Sequence, residues 1–169
     1  MTEKCIKALK MRGVSVDDII DIVLMLQSPY IDDLSREEIE EDIFEILAKR
    51  EVYHTVMTGI AIDIAVEENK LFDQEIMDSM RGDYGLFGVD EVLAYGICNL
   101  YGSIALTNFG YVDKMKPGII GVVNDDLTRV NTFLDDIIGA IAASAASKLA
   151  HTHKKEIKKV VMMKKRGTK

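Results

Sequence analysis

Apolar residues return every three to four positions along most of this chain. Ile19, Ile22, Val23 and Leu26 form one such stripe, and Ile39, Ile43, Ile46 and Leu47 form another. That spacing places each set on one face of a helix. A short helix is predicted over residues 2–12, with Cys5, Ile6 and Leu9 on one side and Gly13 ending it. Ser15, followed three residues on by Asp18, opens a second helix that Pro29 stops, and Ser35 with Glu38 opens a third in the same way. Glu37, Glu40, Glu41 and Glu45 make the wet face of that third helix. Residues 51–69 read as a fourth, more buried helix, with Val52, Val56, Ile60, Ala61, Ile64 and Ala65 facing inward. Residues 71–81 make a short fifth. A sixth opens at Asp90 and Glu91 and runs through Ile97 toward Leu106. Only short helical turns are expected over residues 109–124, because Pro117 biases Lys116 away from the helical region.

The pattern changes between residues 132 and 150. Almost no charge falls between Asp136 and Lys148, and the side chains there are apolar or small on every face. A helix of that kind is buried in a core or spans a membrane. This one is rich in Ala, is interrupted by Ser144 and Ser147, and falls short of the roughly 20 strongly apolar residues a span needs. It is predicted to be a central helix, with Gly139 and the Ala and Ser positions allowing close approach. Thr132 is positioned to cap it, with Asp135 closing the capping box. The fold class that follows is all-α, in a single domain.

Composition agrees with a globular, soluble chain: 48% hydrophobic, 29% charged, no Trp and two Pro in 169 residues. Neither a signal peptide nor a transmembrane segment is expected. Cys5 and Cys98 form no metal-ligand pattern, which points to a reducing, cytoplasmic setting. The charge is uneven. Residues 1–150 hold 13 Lys/Arg against 27 Asp/Glu, whereas residues 151–169 hold 8 against one. An acidic body is a poor partner for nucleic acid, whose phosphates need cations.

Three acidic clusters stand out: Asp90/Glu91, Asp113 and Asp135/Asp136. The first and last each begin a very apolar helix. Capping and complementarity to the helix dipole explain such pairs; so does a metal or phosphate site, since carboxylates buried together need a cation. Oxygen-rich clusters suit Mg²⁺, and Lys114, Lys116 and Arg129 lie between them with charge suited to a phosphate. The Gly-rich stretch over residues 82–88 is either an ordinary helix connection or a place where backbone N–H groups approach an anion. Asp63, set between Ile62 and Ile64, needs a partner if it is buried. His54 reads as structural rather than as a ligand.

Residues 84–91, Tyr-Gly-Leu-Phe-Gly-Val-Asp-Glu, resemble the Gly-x-x-x-x-Asp-Glu motif of the phosphatidylglycerophosphatase A family. Residues 113–117, Asp-Lys-Met-Lys-Pro, resemble its Asp-x-x-Lys-Pro motif, and residues 133–141 its Asp-Asp helix. Order and approximate spacing agree, and the soluble, all-helical YutG-like branch fits best over the chain. The resemblance implies a central helix surrounded by about five others; the domain is expected over residues 1–150, and the charge pattern sets off a basic tail at 151–169. It implies an Mg²⁺-dependent phosphatase that converts phosphatidylglycerophosphate to phosphatidylglycerol. Carried over by motif, Asp90, Glu91, Asp113, Asp135 and Asp136 become metal or catalytic carboxylates and Lys116 a phosphate contact. The early Gly-Ser-Gly stretch and long apolar spans of membrane-embedded members are missing. Two other readings stay open: a phosphatase for a soluble phosphate ester, and a non-catalytic helical oligomer or binding module. The tail can form a basic amphipathic helix suited to peripheral contact with the inner face of a membrane; a solubilising tail and a helix docked on a neighbouring subunit are the other readings of it. The apolar helices leave homo-oligomerisation open.

Overall fold

Short polar side chains start several helices where the sequence predicts. The Asp18 N–H donates to Ser15 Oγ (3.1 Å) while Asp18 Oδ2 accepts from the Ser15 N–H (2.8 Å), a complete capping box. Ser35 accepts from the Glu38 N–H at 3.1 Å, and Asp73, a cap not anticipated from the sequence, accepts from the Ile76 N–H at 2.9 Å. A computed structural model describes residues 1–84 and 87–154. Among them the helices are α1 (Thr2–Met11), α2 (Val16–Gln27), α3 (Arg36–Ala48), α4 (Arg50–Glu67), α5 (Gln74–Arg81), α6 (Val89–Cys98), α7 (Ser103–Met115), α8 (Ile119–Asn124) and α9 (Leu134–Thr152), with no strand. The all-α, single-domain reading is borne out.

α9 is the axis of the bundle. Every residue from Leu134 to Ser147 is buried, and α2, α3, α4, α6, α7 and α8 all pack against it. Small side chains make this possible. A Cβ on Gly139 would stand 3.3 Å from Val112 Cγ2, so α7 lies nearly on the α9 backbone. Ser147 settles its buried hydroxyl by donating to the Tyr101 carbonyl at 2.8 Å. At 19 residues α9 is about 28 Å long. No helix among the described residues is long and apolar enough to cross a membrane.

Gly59 lets α4 pack closely on the first turns of α9. A Cβ there would overlap Ile137 Cδ1 and stand 3.1 Å from Phe133 Cβ. Gly59→Ala is expected to destabilise the fold by about 1–2 kcal/mol despite the better helix propensity of Ala, because overpacking exceeds that gain. Chemical denaturation of the two proteins measures it.

Several boundaries differ from the sequence reading. α6 stops at Cys98 rather than continuing toward Leu106, and α7 occupies Ser103–Met115 where short turns were expected at its C-terminal half. Gly102, at φ 79°, turns the chain between them. Pro117 ends α7 as predicted, and Lys116 takes the left-handed conformation at φ 45°. The capping box expected of Thr132 and Asp135 does not form. The N-cap position of α9 is Phe133, the Thr132 hydroxyl donates to the Met80 carbonyl instead (2.5 Å), and Asp135 Oδ1 accepts from the Asp136 N–H. α9 also runs on to Thr152, past the expected end at residue 150. From residue 155 the basic tail lies outside the described residues.

Candidate active site

The polar ends of α6 and α7 meet the N-terminus of α9. Its first turn supplies Asp135 and Asp136; the first turn of α6 supplies Asp90 and Glu91. The end of α7 supplies Asp113 and Lys114, and Lys116 follows at its left-handed cap. With Asp83, Tyr84 and Asn124 these side chains line one cavity of about 360 Å³. Asp90, Asp135 and Asp136 are buried and Glu91 is half-buried, because the helices that carry them pack into the core just behind these turns.

Lys116 organises the charges. Its Nζ donates to Asp113 Oδ1 at 2.8 Å and to Asp135 Oδ2 at 2.6 Å, and lies 3.7 Å from Asp136 Oδ1. Burial alone would lower its pKa; Asp135, Asp113 and Asp136 outweigh that and raise it. Asp90, Glu91 and Asp136 form a second grouping. They offer one carboxylate oxygen each within 4.8 Å of one another. Glu91 Oε2 and Asp136 Oδ2 are buried and have no hydrogen-bond partner among the described residues. Two orphaned carboxyl oxygens beside a third carboxyl group make a donor set that suits a hard divalent cation, and the residues fit one.

The carboxyl pKa values report the same crowding. Burial, then the charge of Asp135, pushes Asp136 up to about 9 against the pull of Lys116. Burial and the neighbouring Glu91 raise Asp90 to about 7. Asp135 reaches about 6, raised by burial and held back by Lys116. Each group therefore binds its proton more tightly in the folded chain than in the unfolded one, where carboxyls titrate near pH ~4. In metal-free protein the stabilising contribution of these three carboxyls should be largest at or below that pH and be lost as pH rises through about 6 to 9. Mg²⁺ should reverse the trend, raising the melting temperature more at pH 8 than at pH 5. Thermal scans with Mg²⁺ and with a chelator across that range check both signs.

Of the residues singled out from sequence, Asp90, Glu91, Asp113, Asp135, Asp136, Lys114 and Lys116 come together, with Lys114 on the exposed rim. Arg129 does not join them. It is exposed, its Nη1 reaches the Met11 carbonyl at 3.4 Å, and it lines a neighbouring cavity of about 560 Å³ that shares Asp83, Asn124 and Asp135 with the first. His54 lies on a separate apolar groove of α4 with Met57 and Leu71. Sequence reasoning passed over Asp83 and Asn124. Asp83 sits in the Gly-rich stretch already marked as a loop, at φ 43°, and its carboxyl is raised by burial and by Glu91 and Asp113. Asn124 carries no local signal.

Asp63 has found its partners. It is fully buried on α4, and its Oδ1 and Oδ2 accept from the N–H groups of Phe133 and Leu134, each at 3.1 Å. Burial raises its pKa to about 8, against those amides and the nearby Arg12. It supplies the cap that Thr132 does not.

An all-helical bundle with a lysine-bridged carboxylate cavity at the head of its central helix defines the class: a helical protein with a metal-type acidic site. The family model for phosphatidylglycerophosphatase A matches residues 9–151, and the chain belongs to that family. It is 47% identical over 152 residues to the uncharacterized protein YutG of Bacillus subtilis, covering 89% of this chain and 91% of that one. A solved structure of a protein of unknown function from Bacillus stearothermophilus superposes with a TM-score of 0.86 at 47% identity, over 90% of this chain and 95% of the other. The low temperature requirement C protein from Listeria monocytogenes gives the same TM-score and identity over 90% and 96%. Family membership indicates a metal-dependent phosphatase.

Proposed function

We propose that this protein is an Mg²⁺-dependent phosphatase that removes the terminal phosphate monoester of phosphatidylglycerophosphate, or of a closely related phosphate ester. One observation carries the reading: buried carboxylates from α6 and α9 converge, with two oxygens left unpartnered, next to a lysine already braced by three aspartates. Asp90, Glu91 and Asp136 would hold the ion. When bound, Mg²⁺ supplies Lewis-acid stabilisation of charge on the phosphoryl oxygens.

The chain's own residues do the rest. Asp113 and Asp135 fix the Lys116 ammonium at the cavity wall, where it stabilises the negative charge of the transferring phosphoryl group. Because both partners are in place before substrate arrives, little reorganisation is needed during the reaction. Lys114 on the rim adds a cation that draws in an anionic headgroup. In the hydrolysis a water oxygen bonds to phosphorus, the ester P–O bond breaks, one proton of that water passes to the leaving oxygen, and the alcohol and inorganic phosphate depart.

The test is phosphate release from phosphatidylglycerophosphate in mixed micelles and from glycerol 3-phosphate, each with Mg²⁺ and with a chelator. Metal-dependent turnover of the lipid supports the proposal. Turnover of the water-soluble ester alone would favour a phosphatase for a soluble phosphate ester, which the mainly polar lining of the site cavity supports. Absence of metal-dependent turnover on either would overturn the enzymatic assignment in favour of a binding module.

A further inference from the structure

A buried polar clamp surrounds residues 130–134, immediately before the site. The first N–H groups of a helix lack intrahelical acceptors and are usually served by a side chain at the N-cap. Here that position is Phe133, which has no acceptor to offer. Asp63 serves the Phe133 and Leu134 amides from a different helix, seventy residues earlier in the chain. One turn further along α4, Glu67 Oε1 accepts from the Val130 N–H at 2.9 Å. Arg12, also buried, donates to Glu67 through both terminal nitrogens (2.7 and 3.0 Å), to the Val130 carbonyl (2.7 Å) and to Asn131 Oδ1 (2.8 Å). The Thr132 hydroxyl completes the ring on Met80.

A local cap would stabilise α9 alone. This one ties the start of α9 to α4, and α4 also packs on α6. The three carboxylates that offer oxygens within 4.8 Å come from α6 and α9. Their spacing therefore depends on how far α9 is seated between those helices, and the Asp63 bonds set that depth one turn behind Asp136. We infer that Asp63, backed by Arg12 and Glu67, is a positioning residue that holds Asp135 and Asp136 in register with Asp90 and Glu91 for metal binding. The inference rests on the metal-dependent reading above. Residues that orient the ligands of a metal commonly cost about 10–100-fold in affinity when altered.

Calorimetric titration with Mg²⁺ tests it on the full chain: wild type, Asp63→Asn, and Leu149→Ala as a control. Asn retains one acceptor of the two, so one amide loses its partner. Asp63→Asn is expected to weaken Mg²⁺ binding about 10–100-fold and to shift the backbone amide resonances of Asp135 and Asp136. Leu149→Ala, a core truncation near the far end of α9, is expected to lower the melting temperature and leave affinity unchanged. Wild-type affinity in folded Asp63→Asn would overturn the inference and leave the proposed function standing. If Asp63→Asn does not fold, Arg12→Lys, which loosens the same clamp, is measured identically, and unchanged affinity again overturns it. A wild-type protein that takes up no Mg²⁺ would instead remove the metal-dependent reading and this inference with it.

Discussion

Asp136→Asn is expected to lose Mg²⁺-dependent phosphate release by on the order of 10²–10³-fold, and at the same time to make the metal-free protein more stable. The two effects share one cause. Asp136 is buried, one of its oxygens has no hydrogen-bond partner among the described residues, and three further aspartates crowd it. In the absence of a cation its charge is a liability, and its carboxyl rises to about 9 as a result. A neutral amide of nearly the same shape relieves the repulsion but removes a ligand from the cluster it forms with Asp90 and Glu91. The gain should be about 1–2 kcal/mol above pH 7, equivalent to a rise of several degrees in melting temperature for a chain of this size. Mg²⁺ should then add little further stability. Thermal scans with and without Mg²⁺, run beside a phosphate-release assay, read both changes. A variant that lost stability and activity together would show that Asp136 is chiefly structural.

Lys116→Met should produce the opposite pairing: loss of activity with loss of stability. The lysine pairs with Asp113, Asp135 and Asp136, and its side chain is 28% exposed. Removing one member of a buried charge cluster leaves the others uncompensated, which commonly costs about 3–5 kcal/mol. Partial exposure and protonation of Asp135 or Asp136 should reduce this to about 2–3 kcal/mol near neutral pH. Because the neighbours can neutralise themselves by taking up protons, the deficit should shrink as pH falls toward 5. Mg²⁺ should recover part of the lost stability without restoring turnover, since the ion replaces the countercharge but not the ammonium beside the phosphoryl group. Denaturation curves at pH 5 and pH 8, with and without Mg²⁺, check each part.

Much of the architecture was legible because it is local. Ser15 with Asp18 and Ser35 with Glu38 lie three residues apart, and their bonds form whatever the rest of the chain does. The uniform lack of charge from Ile137 to Ser147, with its Ala and Ser content and limited length, pointed to a core helix rather than a membrane span, and α9 is buried over those residues. The acidic pairs that open α6 and α9 were visible for the same reason: a charge pair at the edge of an apolar run shows in one dimension. The break at Gly102 was harder to see, because the residues on either side are apolar enough to continue a helix and only the backbone at that point turns.

What the sequence by itself determined is the helical content, the identity of the central element and the stock of carboxylates and lysines at the helix ends. Those follow from periodicity, capping and charge, which act over a few residues. Only the tertiary structure decided which of those groups share a cavity. It brought Lys116 among three aspartates, added Asp83 and Asn124, and left Arg129 in the cavity next door. It also gave the cap of α9 to Asp63 rather than to Thr132. A backbone N–H needs an acceptor but does not specify one nearby, and close packing against α4 puts a buried carboxylate within reach from seventy residues away.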